Sequence, residues 1–293
     1  MSTTDIDNAA ARYTDAVVEL IERFIEVPTE NPPGVHYADF LPLLKSELDN
    51  LDISYEVAPI PGGDGTRWAV IAETGSGDTA FQFHGHYDVV PAFSREQFKP
   101  VRRNGELWGR GSTDMKGGLA GLILAAAAVR DSGLGRVRLM IVPDEETGGE
   151  LGAGWMRRAG LITAPDVRGV IVGEPTGDMV WHACLGAISM KVTVRGKASH
   201  VGLHYNGMNA FEGMTDIVTG LRELGREVSD RITELGLSPD EAQASILLLG
   251  GESTGALIST WCPRCLRSRS TGATTRRRTA TRFSARWSRC SKR

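Results

Sequence analysis

The chain has 293 residues, 41% of them hydrophobic and 24% charged, which is ordinary globular composition and length enough for about two domains. Disorder, collagen and coiled coil are excluded for the chain as a whole; no apolar run reaches the ~18 residues of a membrane span, and no basic-then-apolar leader opens it, so a soluble cytoplasmic protein is expected. The net charge of −3 is unevenly spread: from Leu257 onward there are ten Arg, one Lys and no acid, leaving 33 − 11 = 22 basic against 36 acidic residues before it, an acidic body that disfavours nucleic acid.

In chain order, Ala16, Val17, Leu20, Ile21, Phe24 and Ile25 recur at helical spacing until Pro28 ends the run. Asn31-Pro32-Pro33-Gly34 reads as a loop, and Phe40, Leu41, Leu44 and Leu48 mark a second helix. Strands are expected at 53–57 and 68–71, joined by a turn-rich segment, and again at 79–84. The small apolar run Gly117 to Val129 suits a helix buried against a sheet, and the β-branched runs 137–142 and 167–172 suit central parallel strands. This alternation predicts an α/β domain over 1–182 with a mixed or parallel sheet. After residue 182 the pattern changes: Ile188, Met190, Val192 and Val194 alternate, Ala210 to Leu224 is amphipathic, and 245–249 is another strand. That block, 183–256, reads as a smaller α+β domain open on one side. Beyond Leu257 periodicity stops, so 257–293 is expected to be a disordered basic tail.

Four acidic or histidine-bearing segments are expected at the ends of predicted strands. In His84-Gly85-His86-Tyr87-Asp88, His86 and Asp88 share one face of an extended chain, so Asp88 can accept the second ring N–H of His86 and fix its tautomer. The glycine-rich segment 109–118 presents a single carboxylate, Asp114, before a helix. Asp144-Glu145-Glu146 places three carboxylates directly after an apolar strand, where they repel unless a cation or proton offsets them. Glu174 follows another apolar strand. In open α/β sheets ligands bind beyond the carboxyl ends of the strands. His86, Asp114, Glu146 and Glu174 together form an N/O donor set suited to zinc or a similar divalent ion, with Glu145 left over as a base.

The segments HGHYDVVPA, GRGSTDMKGG, DEETGG, GEPT and GKASHVG, with PTENPPG near residue 30, resemble the M20 metallopeptidase family, in particular its acetylornithine deacetylase and succinyl-diaminopimelate desuccinylase branch. The resemblance spans roughly residues 10–256. It implies a zinc-exopeptidase-like catalytic domain, its mixed sheet flanked by helices, with an inserted ferredoxin-like lid and dimerisation domain that is incomplete here. It also implies metal-dependent hydrolysis of the amide bond of an N-acyl amino acid or short peptide by a homodimer. His86 and Glu174 would bind one zinc, Asp114 would bridge two, and Glu146 would bind the second. Asp88 would orient His86, and Glu145 would serve as general base on the metal-activated water. His200, in the lid, would reach a partner's site to polarise the scissile carbonyl. Cobalt could replace zinc. The family's second zinc takes a further histidine near the C-terminus, whereas the last histidine here is His204, so that site is expected to be incomplete.

Three rival readings are weaker. Gly251-Glu252-Ser253-Thr254-Gly255 fits a serine-hydrolase elbow, yet neither acid nor histidine follows Ser253. Cys262 and Cys265 could be half a zinc knuckle, but only Cys290 follows; with Cys184 as the one remaining cysteine there is no disulfide framework, as in a reducing compartment. The basic tail, with Trp261, Phe283 and Trp287, could make the protein a non-enzymatic remnant binding nucleic acid or membranes. The sharp compositional break at 257 instead suggests a frameshifted terminus, and with it an impaired enzyme.

Overall fold

The computed structural model describes residues 3–62, 66–162, 165–177, 179–182, 186–236, 243–255 and 265–274, with 3–6, 251–255 and 265–274 described as backbone. Two compact units emerge, Met1–Met179 and Val180–Arg293.

The first unit is a mixed α/β sandwich. It opens with α1 (Thr3–Ala11), which the sequence pattern did not reveal, then α2 (Thr14–Glu26) and α3 (Tyr37–Asn50). Strands β1 (Ser54–Pro59), β2 (Trp68–Gly75) and β3 (Ala80–His86) follow. A small hairpin of β4 (Val101–Arg103) and β5 (Glu106–Trp108) leads to α4 (Lys116–Ser132), β6 (Arg136–Val142), α5 (Ala153–Arg158) and β7 (Val167–Val172). The sheet order is β1-β2-β6-β3-β7. β6 pairs antiparallel with β2 but parallel with β3, and β3 is also parallel to β7. The sheet is therefore mixed, as the alternation of elements predicted, with three parallel strands ending at one edge.

Alternating side chains give the sheet two faces. Val70, Ala72, Phe83, Val137, Leu139 and Ile141 pack against Leu20 and Phe24 of α2, Phe40, Leu44 and Leu48 of α3, and Leu119, Ile123 and Ala127 of α4. On the other face Ala69, Met140 and Val142 meet Ile60 and Met156 of α5. β6 thus deserves its unbroken apolar run, being covered on both sides. The equally apolar β7 does not. It is the sheet's edge among the described residues, and Val170, Ile171 and Val172 are each about half exposed, because the helix layer lies over β2, β6 and β3.

The second unit contains β8 (Gly186–Arg195), α6 (Ala210–Ser229), β9 (Ile246–Gly255) and β10 (Cys265–Thr274). Its antiparallel sheet runs β8-β10-β9. Val192 and Val194 are the most buried positions of β8, and Gly213 of α6 sits against Val194, so the predicted alternating face is the helix-covered one. One expectation is corrected here, and one rival reading stays set aside. Residues 265–274 are not part of an unstructured tail: they form β10, because a strand can be held by backbone hydrogen bonds to neighbours on both sides without apolar periodicity of its own. Ser253 lies within the extended β9, not on the strand-to-helix turn that a nucleophile elbow requires. Cys184, Trp261, Cys262, Phe283, Trp287 and Cys290 lie outside the described residues.

One buried cation ties the helix layer to the sheet edge. Lys116, at the start of α4, is fully buried, and its Nζ donates to the main-chain oxygens of Phe24 and Val27 at the end of α2, both at 2.7 Å. Burial pushes its ammonium pKa down to about 7, the Asp88 charge pulling the other way. Lys116→Ala removes both donors and leaves the volume of the stem empty. Stranded buried groups cost ~1–3 kcal/mol each, partly offset by the ammonium no longer needing burial, so a loss of about 3 kcal/mol is expected. Urea unfolding followed by circular dichroism measures it; an unchanged midpoint would mean that the two carbonyls find other donors.

Candidate metal centre

The parallel strands deliver three of the site's residues to one edge. His86 is the last residue of β3 and pairs with Val142, the last of β6. Asp144, Glu145 and Glu146 follow β6, and Glu174 lies two residues beyond β7. Asp114 arrives from the loop ahead of α4, across a cis bond to Met115. The glycines of that loop matter at two positions. Gly111 has φ 84°, a backbone open to glycine at little cost. Gly118, in the first turn of α4, lies so close to Gly173 that a Cβ would overlap its carbonyl oxygen. That contact brings the start of α4, and with it Asp114, against the segment carrying Glu174.

The result is a histidine ringed by carboxylates. The His86 ring is 1% exposed, its Nδ1 lying 2.9 Å from the Asp88 main-chain oxygen and 3.2 Å from Asp88 Oδ1. Its Nε2 faces Asp114 Oδ1 at 3.4 Å, Glu174 Oε1 at 3.4 Å and Glu145 Oε2 at 3.8 Å, yet is buried without a well-formed hydrogen bond. Donor atoms of His86, Asp114 and Glu174 all lie within 4.8 Å of one another, the one such group among the described residues. An orphaned imidazole nitrogen among three carboxylate oxygens fits a divalent cation, and in its absence a proton must stand in. Burial disfavours the charged ring, but the carboxylates of Asp114, Asp88 and Glu174 beside it outweigh this and push its pKa up to about 12. The same pairing holds the Asp114 carboxyl below the usual range.

Glu145 and Glu146 sit differently. Burial, then the charges of Glu174, Asp88 and Asp114, raise the Glu145 carboxyl, with His86 opposing; its side chain remains half exposed. Glu146 lies outside the three-residue group: its Oε1 accepts from Val90 N at 3.1 Å, and burial together with the Asp114 charge brings its carboxyl up to about 7. Asp88 is fully buried and accepts from the backbone N–H groups of Glu145 at 3.2 Å and Glu146 at 3.1 Å. His200 belongs to the second unit, where it is exposed and its Nδ1 accepts from Gly202 N at 3.1 Å. Sequence reasoning overlooked Asn31, whose buried side chain donates to Asp88 Oδ2 at 2.8 Å and Thr147 Oγ1 at 3.0 Å. Its one signal was a loop of unusual composition.

The profile of Peptidase family M20/M25/M40 matches residues 82–243, the stretch that carries His86, Asp88, Asp114, Glu145, Glu146, Glu174 and His200. A protein from Staphylococcus epidermidis named as a probable succinyl-diaminopimelate desuccinylase is 31% identical over 232 residues, covering 76% of this chain and 55% of that relative. The chain thus spans about half the length of the curated relatives it matches. Among solved structures, a di-peptidase from Saccharomyces cerevisiae superimposes with a TM-score of 0.66 at 15% identity, covering 94% of this chain and 72% of the other. An M20 family metallo-carboxypeptidase from Sulfolobus solfataricus gives 0.64 at 16% identity, with 88% and 71% covered. At these identities the structural likeness speaks for the fold.

Two outcomes follow. In the metal-free chain the raised His86 pKa contributes stability that is fully present below its unfolded value of ~6.5 and is lost as pH rises towards about 12. An incoming cation must displace that proton, so Zn²⁺ affinity should rise about tenfold per pH unit between pH 6 and 8, with about one proton released per ion. Calorimetry in buffers of different ionisation enthalpy reads the proton count, and zero release would sink the assignment. Gly118→Ala should force α4 from the Glu174 segment and weaken Zn²⁺ binding at least tenfold, about 1.4 kcal/mol, with circular dichroism unchanged. Undiminished affinity would mean that this contact does not set the donor spacing.

Proposed function

The chain belongs to the Peptidase family M20/M25/M40, and from that premise we propose that it is a divalent-metal-dependent hydrolase of the amide bond in an N-acyl amino acid or a short peptide. The observation that carries this reading is the convergence of His86, Asp114 and Glu174, with Glu145 Oε2 3.8 Å from the same imidazole nitrogen. His86, Asp114 and Glu174 would hold the ion, which is zinc in this reading, with cobalt as a substitute. When bound, the ion supplies Lewis-acid stabilisation of negative charge developing on oxygen.

The remaining work falls to the chain's own groups. Asp88, buried and bonded on both oxygens, holds His86 in the tautomer that leaves Nε2 facing the carboxylates. Glu145 is half exposed, so water can reach it, and its raised carboxyl is better matched to proton transfer near neutrality than an ordinary glutamate. It takes the proton from the water that attacks the amide carbon. It then gives that proton to the amine nitrogen as the C–N bond breaks. Glu146, beside Asp114 in charge, is the candidate to hold a second ion. The exposed His200 is the candidate to stabilise the oxyanion in a partner's site, as the family resemblance implies for a homodimer. Among the described residues no helix is long and apolar enough to cross a membrane.

Glu145→Gln separates binding from chemistry. It should keep Zn²⁺ affinity within about threefold and lower kcat by ~10²–10⁴-fold on N-acetyl- or N-succinyl-amino acids, since one group serves both proton transfers. If metal and activity vanish together, Glu145 is a ligand and the proton carrier lies elsewhere.

A further inference from the structure

We propose that Asn31 is a positioning residue that holds the turn bearing Glu145 in register with His86; the inference rests on the hydrolytic reading above and adds a part to it. The residue lies in a loop pinned by backbone before its side chain acts. Asn31 N donates to Val89 O at 2.8 Å and Val89 N donates to Thr29 O at 3.0 Å, so residues 29–31 run beside the chain leaving β3. The Thr29 hydroxyl adds a bond to the Tyr87 carbonyl. Asn31 is therefore delivered, 2% exposed, to a fixed point beside Asp88.

Its Nδ2 is shared among three acceptors, one on Asp88 and two on the 144–147 turn. Asp88 Oδ2 lies at 2.8 Å, Thr147 Oγ1 at 3.0 Å and Asp144 Oδ1 at 3.4 Å. Asp88 and Asp144 are both buried carboxylates, and Asp144 has φ 72°, a left-handed conformation that residues other than glycine seldom adopt unless their surroundings hold them there. Asp144 in turn accepts from the Thr147 hydroxyl at 2.9 Å and from Leu151 N at 2.8 Å, closing the turn on itself. Two like charges in so small a space repel unless a donor lies between them. Asn31 is one such donor, and the buried Arg67 guanidinium, 4.0 Å from Asp144 Oδ1, offsets part of the same charge. An aspartate of the same shape would add a third negative charge, and an alanine would leave Arg67 to offset Asp144 with no donor spanning Asp88 and the turn.

The consequence reaches Glu145 through the backbone. Asp88 binds the amides of Glu145 and Glu146, so the geometry between Asp88 and the 144–147 turn is also the geometry between His86 and the base. A side chain that bridges Asp88 to both Asp144 and Thr147 sets it. Asn31 touches none of the metal-facing atoms, so its loss should spare the ion and spoil the proton transfer, for which a displacement of about 1 Å can cost ~10²-fold.

The experiment uses the 293-residue chain with Zn²⁺ or Co²⁺ and two variants: Asn31→Ala, and Thr147→Val as a milder cut at an exposed position. Expected for Asn31→Ala are a kcat roughly 10- to 100-fold lower, KM within about threefold, and an unaltered Co²⁺ absorption spectrum and stoichiometry. The amides of Glu145 and Glu146 should exchange hydrogen at least about tenfold faster, with those of β6 unchanged. Thr147→Val should show the same signs, smaller. Unchanged exchange at Glu145 and Glu146 overturns the proposal, as does loss of bound ion together with activity, which would place Asn31 behind His86 instead of behind the turn. If the parent chain turns over no N-acyl amino acid or peptide, the hydrolytic reading fails separately, and the exchange rates still decide whether Asn31 holds the turn.

Discussion

Like charges held together inside the protein set the terms for everything near them. Asp88, Asp114, Glu145 and Glu174 all lie within 3.8 Å of one imidazole, and Asp88 is wholly buried. Unpaired, such carboxylates would protonate or force the fold apart. Asp88 stays because its buried oxygens have been given donors, two backbone amides and Asn31, while Asp114, Glu145 and Glu174 each keep part of their surface open to solvent. What remains uncompensated is confined to the side of His86 that faces Asp114, Glu174 and Glu145. The residual negative field is a property of the site, and cation affinity is its direct expression.

The sheet makes that concentration of charge feasible by separating two tasks. Its interior positions on β2 and β6 are covered on both faces, and β3 packs on the larger core through Phe83. The site's charged groups gather at and beyond the strand ends, where backbone leaving the sheet turns its N–H groups towards Asp88. Lys116 belongs to the same plan. The residue two positions after Asp114 points away from the carboxylates and into carbonyls at the end of α2, so a positive charge stands close to the site in sequence without neutralising it.

How much of this was legible in the sequence follows from how local each signal is. α2 could be read from its apolar periodicity and α4 and β6 from their unbroken apolar runs, since both signals report burial directly, and β3, β6 and β7 marked the edge at which acids would gather. α5 and the β4–β5 hairpin were too short to show a period. β10 was missed because its strand character comes from partners in β8 and β9, not from its own pattern. His86, Asp114 and Glu174 were named from motif and position, and the structure brings those three together. Glu145 and Glu146 are neighbours on one turn, and no spacing rule tells which faces the histidine; the geometry puts Glu145 closer, with Glu146 bonded to Val90 N. Asn31 was beyond reach for a different reason. Its partners are 57 and 116 positions away, and an amide in a proline-rich loop carries no mark of what it will meet.

The placement of Glu174 links the site back to stability. β7 is the least covered strand of the sheet and pairs with β3 alone among the described strands, yet the segment just beyond it supplies one of the three converging donors. The other two come from β3 and from the start of α4, both rooted in the main core. A cation shared by the three would tie the weakest edge to the strongest part of the unit, and a ligand that binds only the native form adds ~2.7 kcal/mol at a hundredfold excess over its Kd. Against a total of ~5–15 kcal/mol for a typical domain, that is a substantial share. The exposed edge and the crowded carboxylates are then two sides of one arrangement: the sheet tolerates a thinly packed strand where ion binding can reinforce it, and the mutual repulsion of the carboxylates is what a bound ion relieves.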